Sequence, residues 1–248
     1  MLNGKKILLI IGGGIAAFKC HDLIRGLREA GASVTPVLTE AGKEFVTPLS
    51  ISVLSGSKVY ADLFDLEDET QMGHIELSRN SDLIVIVPAT ADLLAKMASG
   101  LANDLASTLL LATDTEVLAA PAMNVRMWEH LATRRNIQLL KKDGIGFIGP
   151  VEGSMACGEF GFGRMAEPEQ IIVAIKKKLS LGKLKGKHIV VTSGPTYEQI
   201  DPVRFIGNLS SGNQGNQIAV ALLNEGARVT LISGPTHIEL PLGAEIKR

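Results

Sequence analysis

The sequence predicts an α/β protein: a Rossmann-like or flavodoxin-like three-layer αβα arrangement around a parallel sheet, followed by an incomplete second Rossmann-like α/β unit. Three observations predict it. Apolar runs rich in Val, Ile and Leu recur within residues 6–11, 34–38, 82–87 and 117–120, the composition of strands covered on both faces. Segments of helical length separate these runs, and the runs end in small residues: Gly12-Gly13-Gly14, Pro88-Ala89-Thr90 and Pro121-Ala122. The pattern then restarts. His188-Ile189-Val190-Val191-Thr192-Ser193-Gly194 echoes the opening strand and turn, and Gly226-Ala227-Arg228-Val229 echoes Gly31-Ala32-Ser33-Val34.

Taken in order, residues 6–11 form the first strand, broken by the glycines. A helix is expected from Ile15 to Ala30, stopping at Gly31, and residues 34–38 give the second strand. Residues 42–54 read as helical at their start, and 62–70 as an acidic loop. After the strand at 82–87 come helices near 93–98 and 100–107, then the strand at 117–120, a helix running to Lys142 and a strand at 146–150. Residues 155–165 contain so many glycines around Cys157 that they are expected not to pack as an element and to serve as a lid. A helix at 167–179 leads into a lysine-rich linker.

Composition narrows the function. A net charge of −1 favours neither nucleic acid nor a membrane surface as partner, and 4% aromatic residues argue against stacking on single strands. With 46% hydrophobic residues but no apolar run of spanning length, a soluble protein with a large core is expected. No leader is visible before the first strand. Two cysteines, far apart and without metal-ligand spacing, fit a reducing, cytoplasmic setting, and no metal site is expected.

Several residues sit where strand ends present chemistry. Gly12, Gly14 and Ala17 satisfy G-x-G-x-x-A, which fits a nicotinamide dehydrogenase as well as other nucleotide sites. Thr39, at the end of the second strand, suits a phosphate better than a ribose diol, favouring a mononucleotide. Phe45 stands ready to wall a pocket. His74, in Gly73-His74-Ile75, is either a solvated histidine or a base. In Pro121-Ala122-Met123-Asn124-Val125-Arg126-Met127-Trp128, Asn124 reads both as a helix cap and as an amide offered to a ligand, and Met127 and Trp128 as core. Cys157 reads as a small buried hydrophobe or as a reactive thiol.

Together, Gly73-His74-Ile75, the P-x-M-N-x-x-M-W stretch and Ala156-Cys157-Gly158 resemble the flavin-dependent cysteine decarboxylase family, within it the phosphopantothenoylcysteine decarboxylases that bacteria fuse to a phosphopantothenate–cysteine ligase. The resemblance implies FMN as cofactor and 4′-phospho-N-pantothenoylcysteine as substrate, decarboxylated to 4′-phosphopantetheine in coenzyme A biosynthesis. Direct loss of CO₂ from a cysteine carboxylate has no electron sink. Oxidation of the carbon bearing sulfur gives a thioaldehyde β to the carboxylate, which is such a sink, and the resulting enethiol is then reduced again. The resemblance assigns His74 as base, Asn124 as the grip on the substrate carboxylate and amide, and Cys157 as the acid that protonates the enethiol, with Ala156 and Gly158 beside the substrate. Gly14, Ile15, Ala16, Thr39, Phe45, Pro88, Ala89 and Thr90 would surround FMN, with Met123 near its ring. A homotrimer or dodecamer is also implied.

The resemblance divides the chain into an FMN-binding decarboxylase domain, 1–180, and the first part of a ligase domain, 181–248. The second segment, with Arg204 and with Asn208 as the intermediate-stabilising amide, resembles the opening of a ligase that uses CTP and Mg²⁺. Asn213-Gln214 stands where that family has Lys-Met, and the segment ends at Arg248, so no ligation by this chain alone is expected. Two other readings are an NAD(P)-dependent oxidoreductase built on the Gly12 turn and a flavin-binding regulatory subunit without turnover.

Overall fold

A computed structural model describes residues 2–63, 74–154, 158–179 and 184–248, apart from the side chains of His74, Ile75 and Asn224. The chain divides into two compact units, Met1–Leu179 and Ser180–Arg248.

The first unit is built on five parallel strands in the order β2-β1-β3-β4-β5. These are β1 (Lys6–Ile11), β2 (Ser33–Leu38), β3 (Leu83–Ala89), β4 (Val117–Pro121) and the short β5 (Gly146–Phe147). This is the flavodoxin-like order. The direction of winding changes between β1 and β3, which pair in register from Ile7↔Leu83 to Ile10↔Ile86, and that change opens a crevice at their carboxyl ends. All seven residues of β3 are buried, as a strand covered by helices on both faces requires.

Strand alternation sorts the apolar residues into two layers. Ile7, Leu9, Ile11, Val85 and Val87 face a layer containing α1 (Cys20–Glu29) and α9 (Pro168–Leu179), which contribute Leu23, Leu27, Ile171 and Ile175. Leu8, Ile10, Ile84 and Ile86 face α5 (Ala91–Ser99), α6 (Leu105–Leu111) and α8 (Leu131–Lys142). Each such aliphatic side chain, once buried, contributes about 1.5–3 kcal/mol. The strand entrances are fastened by Asp82: its carboxylate accepts the Lys6 backbone N–H at 2.8 Å and the Lys5 ammonium at 3.0 Å. The Lys6 N–H foremost, with Lys5, holds the Asp82 carboxyl below its ordinary range against the cost of partial burial.

Local chemistry accounts for most helix ends. Thr90 caps α5, and Asp104 and Ser107 form a reciprocal capping box on α6. Where one helix start was expected at 42–54 there are two helices, α2 (Glu40–Lys43) and α3 (Pro48–Ser55). Pro48 disfavours helical backbone in the residue before it and then serves at the first turn of α3. The expected helix from Ile15 begins instead as a 3₁₀ turn, Ile15–Lys19, before α1.

One expectation is corrected outright. Residues 155–165 were expected not to pack as an element, yet Phe160–Arg164 forms β7, antiparallel to β6 (Val151–Ser154). Its glycines are accommodated because Gly161 (φ 148°) and Gly163 (φ 147°) adopt backbone angles that other residues avoid, and the missing side chain lets Gly161 lie close to Val125. A short helix α4 (His74–Arg79) precedes β3, and α7 (Val125–Glu129) follows β4.

The second unit carries a parallel three-stranded sheet, β12-β11-β8, formed by β8 (His188–Ser193), β11 (Arg228–Ser233) and β12 (Glu245–Lys247). Helix α10 (Asn213–Asn224) connects β8 to β11 after a hairpin, β9 (Tyr197–Gln199) and β10 (Phe205–Gly207), whose Tyr197 and Phe205 rings lie 4.3 Å apart. Its core is Ala219, Ala227, Val229 and Leu231. Among the described residues no helix is long and apolar enough to cross a membrane.

If β1 holds the first unit together as this packing implies, Leu9→Ala should cost about 2–5 kcal/mol. The measurement is the shift in urea midpoint, and an unchanged midpoint would mean the two layers do not depend on β1.

Candidate active site

The turn after β1 is built by close approach. A Cβ on Gly12 would stand 2.3 Å from the Pro88 carbonyl oxygen, and one on Gly13 would stand 2.4 Å from the Ala41 Cβ. Backbone therefore lies against backbone where β1, β2 and β3 end. Gly14 differs, since a Cβ there would meet no protein atom within 4 Å. It faces a cavity of about 520 Å³, within the usual range for a small-molecule site of about 300–1,000 Å³.

That cavity lies over the switch point. Its lining includes Gly14, Ile15 and Ala16 after β1, Thr90 after β3, and Met123 and Asn124 after β4. The structure thus brings together six of the residues that sequence reasoning selected. Four others stand around rather than in the lining. Ala89 is fully buried and its carbonyl accepts the Ala122 N–H at 3.2 Å. Pro88 is buried in β3, its carbonyl against Gly12. The Thr39 hydroxyl donates to the Ile11 carbonyl at 3.0 Å and accepts the Gly42 N–H at 3.0 Å, capping α2. Phe45 is exposed. Ala156 and Cys157 lie outside the described residues, as does the His74 side chain, although His74 opens α4. Gly158 is described, with φ 82°.

Asn124 carries two duties at once. Its Oδ1 accepts the Arg126 N–H at 2.7 Å, capping α7, and its Nδ2 donates to the Glu159 carboxylate. With Oδ1 held by the helix, it is the amide's donor end that is turned to the Glu159 carboxylate. Met123 is anchored as well: its N–H donates to the Gly163 carbonyl at 3.0 Å, pinning β7 to the end of β4. Met127 lines the cavity while Trp128 packs against the core beneath it. The packing and chemical readings of this stretch are therefore divided between neighbouring residues.

Sequence reasoning missed the charged wall. Lys19 and Arg164 both line the cavity, and both bind Glu167: Lys19 Nζ at 2.8 Å and Arg164 at 2.5 Å. The bond from Lys19 foremost holds the Glu167 carboxyl below its ordinary range against the opposing effect of burial, with Arg164 adding to the lowering. The Arg164–Glu167 spacing of three residues was a legible signal. Lys19, 148 residues before Glu167, was not. Cys20 is excluded from chemistry, since its thiol donates to the Val87 carbonyl at 3.1 Å and burial pushes it up to about 12. Among the described residues no group of three His, Cys, Asp or Glu side chains is placed to hold a metal.

The family described as Flavoprotein matches residues 1–180. The chain belongs to the flavoprotein family. Residues 184–248 match a second family, described as the DNA/pantothenate metabolism flavoprotein C-terminal domain. The coenzyme A biosynthesis bifunctional protein CoaBC of Vibrio parahaemolyticus is 49% identical over 244 residues, 98% of this chain and 61% of that protein. The chain thus spans about three-fifths of the length of such curated relatives. Among solved structures, a PPC decarboxylase variant complexed with pantothenoylaminoethenethiol is similar, with a TM-score of 0.63 at 34% identity, covering 69% of this chain and 96% of that one. The FMN-dependent cysteine decarboxylase SpaF is similar at a TM-score of 0.61 and 28% identity, covering 70% and 96%. The coverage matches the size of the flavoprotein unit and its five-stranded sheet.

In the second unit a cavity of about 670 Å³ is bordered by Ser193, Gly194, Ser211, Gly212 and Gln214. Arg204 pairs with Asp201 at 2.6 Å, and Asn208 donates to the Thr196 hydroxyl at 3.1 Å; neither is among the residues lining that cavity.

The Lys19–Glu167 pair predicts a pH dependence of stability. A carboxyl lowered in the folded state contributes stability that is full above its unfolded value, about 4.3, and is lost as pH falls through its folded value. Glu167→Gln should therefore lose stability at pH 7 but differ less from the parent as pH falls below about 4, as read from urea unfolding across that range.

Proposed function

We propose that the flavoprotein unit binds FMN and decarboxylates 4′-phospho-N-pantothenoylcysteine to 4′-phosphopantetheine, a step of coenzyme A biosynthesis. The observation that carries the reading is the placement of Asn124 and Met123 at the end of β4, on the rim of the switch-point cavity. Further support comes from the 34% identity with a PPC decarboxylase whose complex holds an enethiol.

The residues present fit a flat cofactor. Ile15, Met123 and Met127 offer apolar walls, and Gly14 leaves room that any side chain would take. Thr39, Phe45, Pro88, Ala89 and Thr90 complete the surround in this reading. When bound, FMN supplies a hydride acceptor and donor, which cysteine decarboxylation requires. Asn124 grips the substrate carboxylate through Nδ2–H and holds it beside the oxidisable carbon. His74 serves as base, and Cys157, between Ala156 and Gly158, as the acid that returns a proton to the enethiol. Assembly as a homotrimer or dodecamer is part of the proposal, following from the resemblance to the cysteine decarboxylases.

The second unit we read as part of a phosphopantothenate–cysteine ligase domain, with CTP and Mg²⁺ as its cosubstrate and ion. Arg204 and Asn208 are its candidate residues. The amides and hydroxyls at Ser193, Ser210 and Ser211 suit a polar ligand in its cavity.

Protein reconstituted with FMN should show a bound-flavin spectrum and release CO₂ from 4′-phospho-N-pantothenoylcysteine. Failure to retain FMN would sink the proposal. Asn124→Asp keeps a helix cap of equal quality but sets a carboxylate against both the substrate's carboxylate and Glu159, so kcat/KM should fall by about a hundredfold or more with FMN content near the parent, and the melting temperature should fall with the loss of the Glu159 bond. Steady-state kinetics alongside a melting curve checks both halves.

A further inference from the structure

The Asn124–Glu159 bond has no place in the chemistry assigned so far, and it couples the rim of the cavity to the β6–β7 hairpin. Glu159 immediately precedes β7, a strand tied down by two contacts. Gly163 accepts the Met123 N–H, and the Cβ position of Gly161 lies 3.2 Å from Val125 Cγ2. Glu159 is half-buried, and its carboxylate accepts the Asn124 Nδ2–H while Asn124 Oδ1 is held by the Arg126 N–H. The donor end of Asn124 is thus already engaged by an anionic group of the chain itself.

We propose that Glu159 is the specificity-determining partner of Asn124: a carboxylate whose charge, held on the amide, disfavours a ligand's carboxylate relative to the decarboxylated counterpart. The inference rests on the reading of Asn124 as the carboxylate grip. The amide nitrogen carries two N–H groups, but two carboxylates crowded on it repel, so an acid-bearing ligand binds against the charge of Glu159. A ligand without a carboxylate meets no such repulsion, and the Asn124–Glu159 bond can persist beside it. Glu159 therefore weakens the acid relative to its decarboxylated counterpart and works through Asn124, without a covalent step of its own.

The test uses FMN-loaded protein and two unreactive probes. One is the alanine analogue of phosphopantothenoylcysteine, which has a carboxylate but no thiol to oxidise. The other is the corresponding N-ethylamide, which lacks the carboxylate. Dissociation constants come from calorimetry and from the change in flavin absorbance. Glu159→Gln should tighten the alanine analogue by about tenfold, the effect of relieving one like-charge contact, and leave the ethylamide within about twofold. Glu159→Ala should move the ratio of the two constants in the same direction, which covers the chance that glutamine disturbs the hairpin. An unchanged ratio in both variants, or selective weakening of the acid, overturns the proposal. Asn124→Ala separates the two levels of argument: if it leaves the parent's ratio unchanged, the carboxylate-grip reading fails and the proposal with it. If it changes the ratio while the Glu159 variants do not, only the role of Glu159 is lost.

Discussion

The arrangement of the first unit depends on contact between backbones at the end of β1. Gly12 faces the carbonyl of Pro88 and Gly13 faces Ala41 at distances no side chain tolerates. The obstruction a larger residue would meet is main chain at Gly12, and the Ala41 Cβ with its main chain at Gly13, none of which can rotate away as a side-chain tip would. The ends of β1 and β3 and the start of α2 are thereby drawn into one floor. Above that floor Gly14 is unconstrained by packing, so the same turn supplies both the closeness that sets the sheet and the room that makes a cavity.

A second set of bonds closes the wall around it. Glu167 gathers Lys19 from the first 3₁₀ turn and Arg164 from β7, while Met123 holds Gly163. The last strand of the hairpin is thus tied to both ends of the crevice by groups far apart in sequence. Lys19 is largely shielded, at 14% exposure, and Glu167 less so, at 37%. The pair is for that reason better regarded as a positional tether than as a large source of stability.

How far the sequence could be read follows from the range of the forces involved. β1, β3 and β4 were legible because burial on both faces leaves an unbroken apolar run, and the strand-end residues Gly14, Thr90, Met123 and Asn124 were legible because parallel strands present their ends together. The 3₁₀ start before α1 and the split around Pro48 shifted boundaries only locally. The β6–β7 hairpin was missed because its glycines signal looseness when taken one residue at a time. Their role emerges only when Val125 and Arg164 are seen beside them. Lys19 with Glu167, and Asn124 with Glu159, are pairings across 148 and 35 residues, and no periodicity encodes them.

Asn124 shows what this economy demands of a side chain. Serine and aspartate cap the start of a helix about as well as asparagine does, and threonine somewhat less well, but each would turn a different face to the rim. Aspartate offers only acceptors; the hydroxyls are too short to serve the Arg126 N–H and reach Glu159 together. Glutamine has the right groups on a longer, looser arm. The position is thus closed to the substitutions that a helix cap ordinarily tolerates, so drift at this residue is restricted by the pairing of its two ends. A homologue that changed it would have to rebuild either the start of α7 or the recognition of its ligand.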